Sequence, residues 1–319
     1  MSKNLKQGNK QCMKHILKKY KKNIILIAII SIFIIFFPFI VTICNLDKVD
    51  TTIYSPQLYG KSVVINSSGQ SIDVEMFVPL VVYSMMPVDY DKEILKSQIV
   101  IIRTYIIYKL GQNNNINADD LALPYTTYSE LEKKWGKKYE KNYNYTMKLL
   151  TETNCETIYY NNEVICPYYH EISAGVTNNG EYPYLQSVEV DSDKEAEGFM
   201  NITYLTLEEM KEKLNKNINE DVNPEDIFGM IKINYEDNGK YVRSVAIGDN
   251  TIAAGDFAKD FNLPSTAFNI ENFSGGIKIT CKGKGDGRGM SISGAVNMAQ
   301  EGKKYNEILS YFFSDIEIR

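Results

Sequence analysis

The chain has 319 residues with 35 basic and 40 acidic side chains, a formal charge of −5, but the charges are segregated. Eight of the lysines fall in residues 1–23, which carry no acid, so the other 27 basic groups face all 40 acids, a formal −13 with no basic stripe. That balance excludes nucleic-acid binding, and five scattered cysteines, at 12, 44, 155, 166 and 281, exclude a disulfide framework.

Residues 1–23 read as a basic cytoplasmic segment that runs into IILIAIISIFIIFFPFIVTIC, residues 24–44, which holds no charge. Twenty-one helical residues rise about 32 Å, enough to cross a hydrocarbon core, and the lysine flank sets the N-terminus inside. The run is long for a signal peptide and no small-x-small cleavage site follows, so an uncleaved, single-pass anchor in the cell membrane is expected. Val-Thr-Ile-Cys44 lacks the small residue that precedes a lipidated cysteine. Residues 45–59 then form a stalk and residues 60–319 an extracytoplasmic domain.

Residues 53–85 alternate in strand fashion around the turn NSSGQS, as in KSVVI and SIDVEMFVPLVV. Asp91 is placed to cap a helix that runs to the polar loop GQNNNINADD. Residues 128–150 predict one solvated helix or two. ETIYYNNEVICPYY predicts a hairpin turning at Asn161-Asn162. Strands follow near 185–190 and 199–205, a helix over 207–216, and strands in GMIKINYE and KYVRSVAIG. GGIKITCKGKGDGRGM then leads into the helical ISGAVNMAQEGKKYNEILSYFF. Strands and helices mix without regular alternation, so the fold class is α+β, with one long buried helix.

That helix, DKEILKSQIVIIRTYIIYKL from residue 91, is apolar on most sides. With Glu93 at 0° on a wheel of about 100° per residue, Lys96 falls at about 300° and Arg103 at about 280°. The three share one stripe. They fit either a buried ion-pair network that fixes the helix or a functional carboxylate with cationic neighbours. The glycines at 283, 285, 287 and 289 lack phosphate-loop spacing and suit close backbone approach.

Four stretches resemble the stage II sporulation protein D family: IDVEMFVPLVVYSMMP, EILKSQIVIIRTY, YYHEISAGVTNNGEYPYLQSV and GKGDGRGMSISGAVNMAQEGKKYNEILSYFF. The resemblance runs from about residue 60 to the C-terminus. It departs at Met85, where the family has Glu before Met-Pro, and at Asp286, Arg288 and Ile292, where it has His, Val and Gln. The resemblance implies a membrane-anchored peptidoglycan lytic transglycosylase acting on glycan strands during forespore engulfment. It implies partners too: a sporulation amidase, stage II sporulation protein P, and a membrane partner, stage II sporulation protein M. A non-catalytic glycan-binding scaffold and an activator of a separate cell-wall amidase are the alternatives.

Such an enzyme needs one carboxyl, which protonates the glycosidic oxygen and then, as carboxylate, helps the muramic acid 6-hydroxyl close a 1,6-anhydro ring. By the resemblance Glu93 is that group, and Lys96, Arg103, Tyr169, His170, Ser173 and Asp286 are expected to bind substrate. No cofactor or metal is expected. Cys155, Cys166 and His170 are three possible zinc ligands, but structural sites have four and no C-x-x-C is present. Around the Asn161-Asn162 turn the two cysteines are offset, so neither a disulfide nor a shared metal is forced.

Overall fold

The computed structural model describes residues 33, 36, 52–66, 68–215, 226–236 and 239–319. The expected basic segment and anchor lie outside the described residues except for Phe33 and Phe36. Among the described residues no helix is long and apolar enough to cross a membrane. Residues Tyr54–Arg319 make one unit of mixed α and β structure.

Strands β1 (Ser62–Ile65) and β2 (Gln70–Asp73) pair antiparallel. The strand reading of SIDVEMFVPLVV ends at Asp73, whose carboxylate accepts the Glu75 N–H at 2.9 Å and caps helix α1 (Val74–Met85). Nine of the 12 residues of α1 are buried, so its apolar run has little period by which to separate helix from strand. Asp91 caps α2 (Lys92–Leu110) by accepting the Glu93 N–H at 2.7 Å. Fifteen of the 19 residues of α2 are buried. It packs between α1, α4 (Tyr139–Thr153) and the C-terminal helices. Strand β3 (Asn115–Asn117) returns parallel to β1. The charged stretch after residue 128 forms two helices, α3 (Tyr128–Trp135) and α4, because Gly136 takes a positive φ of 51° between them.

The hairpin β4 (Ile158–Tyr160) and β5 (Glu163–Val164) turns on Asn161 and Asn162, both at positive φ, which is type I′ chemistry. The short strand β6 (Tyr169–His170) follows. Residues 185–190, expected as a strand, are irregular apart from one bridge between Val176 and Glu189. Side chains take the backbone partners there: Thr177 Oγ1 accepts the Val188 N–H, and Ser187 Oγ donates to the Thr177 carbonyl.

A second hydrophobic cluster gathers β7 (Met200–Leu205), α5 (Leu207–Leu214), α6 (Ile227–Met230), β8 (Ile231–Tyr235), β9 (Val242–Ile247), β10 (Asn250–Ala253), α7 (Ala254–Asp260), β11 (Phe268–Phe273) and β12 (Gly276–Lys282). Two three-stranded antiparallel sheets result, ordered β10-β9-β8 and β11-β12-β7. The chain then returns to the first cluster through β13 (Met290–Ser291), which pairs parallel with β6. Helices α8 (Ile292–Gln300) and α9 (Tyr305–Phe312) follow, and β14 (Glu317–Ile318) closes on β4. The expected single C-terminal helix is two because Gly302 sits at φ 90° between them.

Candidate functional site

The charged stripe of α2 divides between two environments. Glu93 is 5% exposed, and its Oε2 accepts the backbone N–H of Tyr305, the first residue of α9, at 3.0 Å. A free N–H at a helix start is thereby satisfied by a carboxylate from another helix, which also suits the local dipole. Glu93 Oε1 faces the ammonium groups of Lys96, Lys92 and Lys304 at 3.8, 3.9 and 4.0 Å. Lys96 is closer to Glu152, at 2.5 Å, and its Nζ lies 5.5 Å from the centre of the Tyr305 ring. The hydroxyl of that tyrosine donates to Glu156 at 2.7 Å.

Arg103 belongs to a separate pair. It and Glu75 are fully buried, and the guanidinium grips the carboxylate with two bonds of 2.7 and 2.6 Å. Its remaining donors reach Thr153 Oγ1 at 2.9 Å and the Glu156 carbonyl at 2.8 Å. The expected substrate contact is therefore replaced by an internal one: Arg103 fastens α2 to α1 and to the end of α4. Two planar groups in a fork-to-fork pair satisfy each other, which is what a fully buried charge requires.

The other expected residues gather at the β6–β13 pairing. His170 is buried, and its Nδ1 lies 3.0 Å from the Arg288 carbonyl. A carbonyl only accepts, so Nδ1 carries the proton and Nε2 is left as an acceptor, with no hydrogen-bond partner among the described residues. Burial pushes the His170 pKa below the ordinary histidine value, against the opposing effects of the Arg288 carbonyl, Asp286 and Asp193. Ser173 is fully buried and donates its N–H to Asp193 Oδ2 at 2.7 Å, an oxygen that also accepts from Ser291 Oγ at 2.6 Å. A Cβ at Gly287, whose φ is 78°, would fall 2.1 Å from the ring of Tyr241, so the chain passes there only as glycine. Asp286, partly exposed, holds Arg288 by accepting two of its guanidinium bonds at 2.8 and 2.6 Å. Arg288 also reaches Glu181 at 2.9 Å, and its guanidinium carbon lies 4.4 Å from the centre of the Tyr168 ring. The Tyr168 hydroxyl donates to the same Glu181 at 3.0 Å, which closes a three-residue ring of contacts with Asp286 attached to it through Arg288.

Beside this ring lies a cleft of about 350 Å³, lined by Tyr105, Tyr108, Lys109, Leu123, Cys166, Pro167, Tyr168 and Tyr169. The Tyr169 hydroxyl donates to Met85 Sδ at 3.1 Å. Glu93 does not line this cleft, and along α2 it stands about 18 Å from Tyr105. Asp286 is thus linked to Tyr168 through Arg288, His170 follows Tyr169 on β6, and Ser173 is joined to Ser291 through Asp193, while Glu93 and Lys96 are grouped at the far end of the helix. Cys155, Cys166 and Cys281 are free thiols. Among the described residues no three His, Cys, Asp or Glu side chains gather as metal ligands, so Cys155, Cys166 and His170 do not share a site.

Sequence reasoning missed Glu75, Asp193 and Glu181. Glu75 is an acid within an apolar run, VEMFVPLVV, and a buried acid there needs a buried cation. Asp193 lies in the charged stretch DSDKE and carried no signal of burial.

Residues 66–160 match the model of the family described as stage II sporulation protein. The chain is 30% identical over 267 residues to stage II sporulation protein D of Bacillus subtilis, an alignment that covers 79% of this chain and 76% of the relative. It is 29% identical over 267 residues to the protein of the same name from Bacillus amyloliquefaciens, with the same coverage. An uncharacterized protein of Brachyspira hyodysenteriae is 28% identical over 260 residues, 77% of this chain and 67% of that one. With the named relatives aligned across both the first cluster and the second, this chain belongs to the stage II sporulation protein D family.

Proposed function

We propose that this chain is a sporulation cell-wall protein that holds peptidoglycan glycan strands in the tyrosine-walled cleft without cutting them. The observation that carries this reading is the composition of the cleft: among the described residues its lining offers four tyrosines and a lysine but no carboxyl group. Where the family pattern has an acid before Met-Pro, Met85 presents a thioether to the Tyr169 hydroxyl. A thioether cannot donate a proton to a glycosidic oxygen. Glu181, within reach of Tyr168, is held by Arg288. Tyrosine rings give a sugar flat apolar faces and a hydroxyl at the edge, and the volume suits a small section of glycan. The N-terminal lysines and the uncharged run at 24–44 support an anchored topology with this domain outside the membrane. A shared setting with a peptide-removing amidase and a polytopic membrane partner rests on the family alone.

A second reading, lytic transglycosylation by Glu93, is favoured by one observation: Glu93 stands at the start of a rigid, buried helix inside the family-matched segment. For that chemistry the Tyr305 amide has to leave Oε2, and the strand has to reach a carboxyl that is now almost fully covered. One experiment separates the readings: full-length protein in detergent is incubated with purified, peptide-free glycan strands, and both bound strand and products are measured. Binding without product is expected, and Tyr169→Ala should weaken it by about tenfold or more, as truncation of a central aromatic does. Fragments ending in 1,6-anhydro-muramic acid would overturn the binding-only reading.

A further inference from the structure

The β11-β12-β7 sheet ends at β7, which has no neighbouring strand on its outer side among the described residues. The Gly283 N–H donates to the Phe199 carbonyl at 2.7 Å, one step beyond the Lys282–Met200 pair, and this bond fixes the phase of the ladder. Antiparallel pairs alternate, so Asn201, Thr203 and Leu205 turn their N–H and C=O groups toward β12, whereas Met200, Ile202 and Tyr204 turn theirs outward. No backbone partner meets these outward groups among the described residues. The same three side chains lie on the open face of the sheet, 54%, 44% and 58% exposed, while Ile277 and Ile279 point the other way into the second hydrophobic cluster. Phe273 extends the apolar patch, its ring 5.4 Å from that of Tyr204. Free edges usually carry a charge, a proline or a bulge that discourages pairing. Strand β11 carries Glu271, and β8 carries Lys232 and a register shift, but β7 reads MNITYL, with none of the three and an unbroken ladder to β12.

The edge is complementary to itself. A two-fold axis normal to the sheet turns the same face of both copies upward, so residues that face each other across it must stand an even number of positions apart. A register centred on Ile202 sets Ile202 against Ile202 of the second copy and Met200 against Tyr204, and all three outward residues then pair at once. A register centred on Thr203 would need Thr206, whose N–H already goes to Glu209 at 2.8 Å. In the first register a sulfur meets an aromatic ring and isoleucine meets isoleucine, with Lys278, Thr280 and Lys282 of the next strand as a polar margin. Charge also suits a second copy. Residues beyond 23 carry 27 basic groups against 40 acids, so two copies repel over most of their surface, yet the β7 strand holds no charge and brings no like charges into contact.

We propose that β7 pairs antiparallel with β7 of a second copy of this chain, joining two three-stranded sheets into one continuous sheet. The contact is small for a dimer free in solution. Copies held in one bilayer by an anchor at 24–44 meet at a raised effective concentration, which offsets the small area. The test is disulfide trapping of the full-length protein in lipid vesicles, with Cys12 and Cys44 replaced by serine and that background as the blank. Across the proposed axis the two Ile202 Cα atoms lie about 5.5 Å apart, within disulfide reach, whereas the two Asn201 Cα atoms lie about 8–9 Å apart, beyond it. Asn201 is also exposed, so both positions are open to the oxidant. Ile202→Cys should yield dimer faster than Asn201→Cys by about tenfold or more. Adding Met200→Lys and Tyr204→Lys to Ile202→Cys sets lysine opposite lysine and should slow trapping on the order of tenfold. Equal rates at the two positions, no trapping of Ile202→Cys, or a rate indifferent to the added lysines would overturn the proposal.

Discussion

Replacing Glu93 by glutamine tests whether the carboxylate is a strut or an acid. The amide keeps an oxygen that can still accept the Tyr305 N–H, so the cap on α9 survives in neutral form. What is lost is the charge facing three ammonium groups at 3.8–4.0 Å. Two of these, on Lys92 and Lys304, belong to side chains more than half exposed and screened by water, and Lys96 keeps its shorter pair with Glu152 at 2.5 Å. Exchanging one charged hydrogen bond for a neutral one, with weak surface pairs besides, costs about 1–2 kcal/mol. Breaking a fully desolvated pair would cost about 3–5 kcal/mol. Urea unfolding of residues 54–319, followed by circular dichroism, reads the difference directly. Glu93→Ala should cost more than Glu93→Gln, since it also leaves the Tyr305 amide without its acceptor. Glycan binding should be the same in all three proteins. If the wild type released anhydro-muramic fragments and Glu93→Gln abolished them with stability intact, the strut argument would be refuted.

Arg103→Met should destabilise the unit by about 3–5 kcal/mol, because Glu75 then keeps a buried charge with no partner, and the double variant Glu75→Met/Arg103→Met should recover much of that loss. Equal costs for the single and double variants in urea titrations would show that the pair is not the reason. His170 is the only histidine in residues 54–319, and its folded pKa is lowered by burial, so unfolding takes up a proton once the pH falls below about 6.5. Its contribution is intact above that value and is lost at up to about 1.4 kcal/mol per pH unit as the pH falls toward the folded pKa. His170→Gln should flatten that part of a stability–pH curve, and an unchanged slope would place the titration elsewhere. Met85→Glu sets a carboxyl beside the Tyr169 hydroxyl at the edge of the cleft. Product analysis should then detect anhydro-muramic fragments absent from the wild type, and none would mean that more than the acid is missing.

Much of the architecture could be read from residues in sequence, and the failures share a cause. The Asn161-Asn162 turn, the Asp91 cap and the strands of the second cluster are local devices whose chemistry is complete within a few residues. Helix α1 resembles a strand in sequence because burial of nine of its 12 residues removes most of the polar face that marks a period. The stripe on α2 was legible as a set of charges, but their partners were not. Glu75 lies 28 positions before Arg103, and Tyr305 lies 212 after Glu93. No periodic rule links residues that far apart. The tyrosine cleft escaped for a different reason: 23 tyrosines give the sequence no means of choosing the four that face one space.

The departures from the family pattern are not scattered once they are placed in space. Met85 touches Tyr169, Arg288 lies against Tyr168, and Asp286 fixes Arg288. Three of the four altered positions therefore act on two adjacent tyrosines of one cleft. Their effects agree in direction. Met85 sets a thioether where the family pattern has an acid, while Arg288, fixed by Asp286, and Glu181 tie the Tyr168 ring into a closed set of contacts. A ring held in this way loses little freedom when a ligand settles on its open face, which supports the proposed binding of a sugar there. This agreement supports the proposed reading of the cleft as a place for holding a strand.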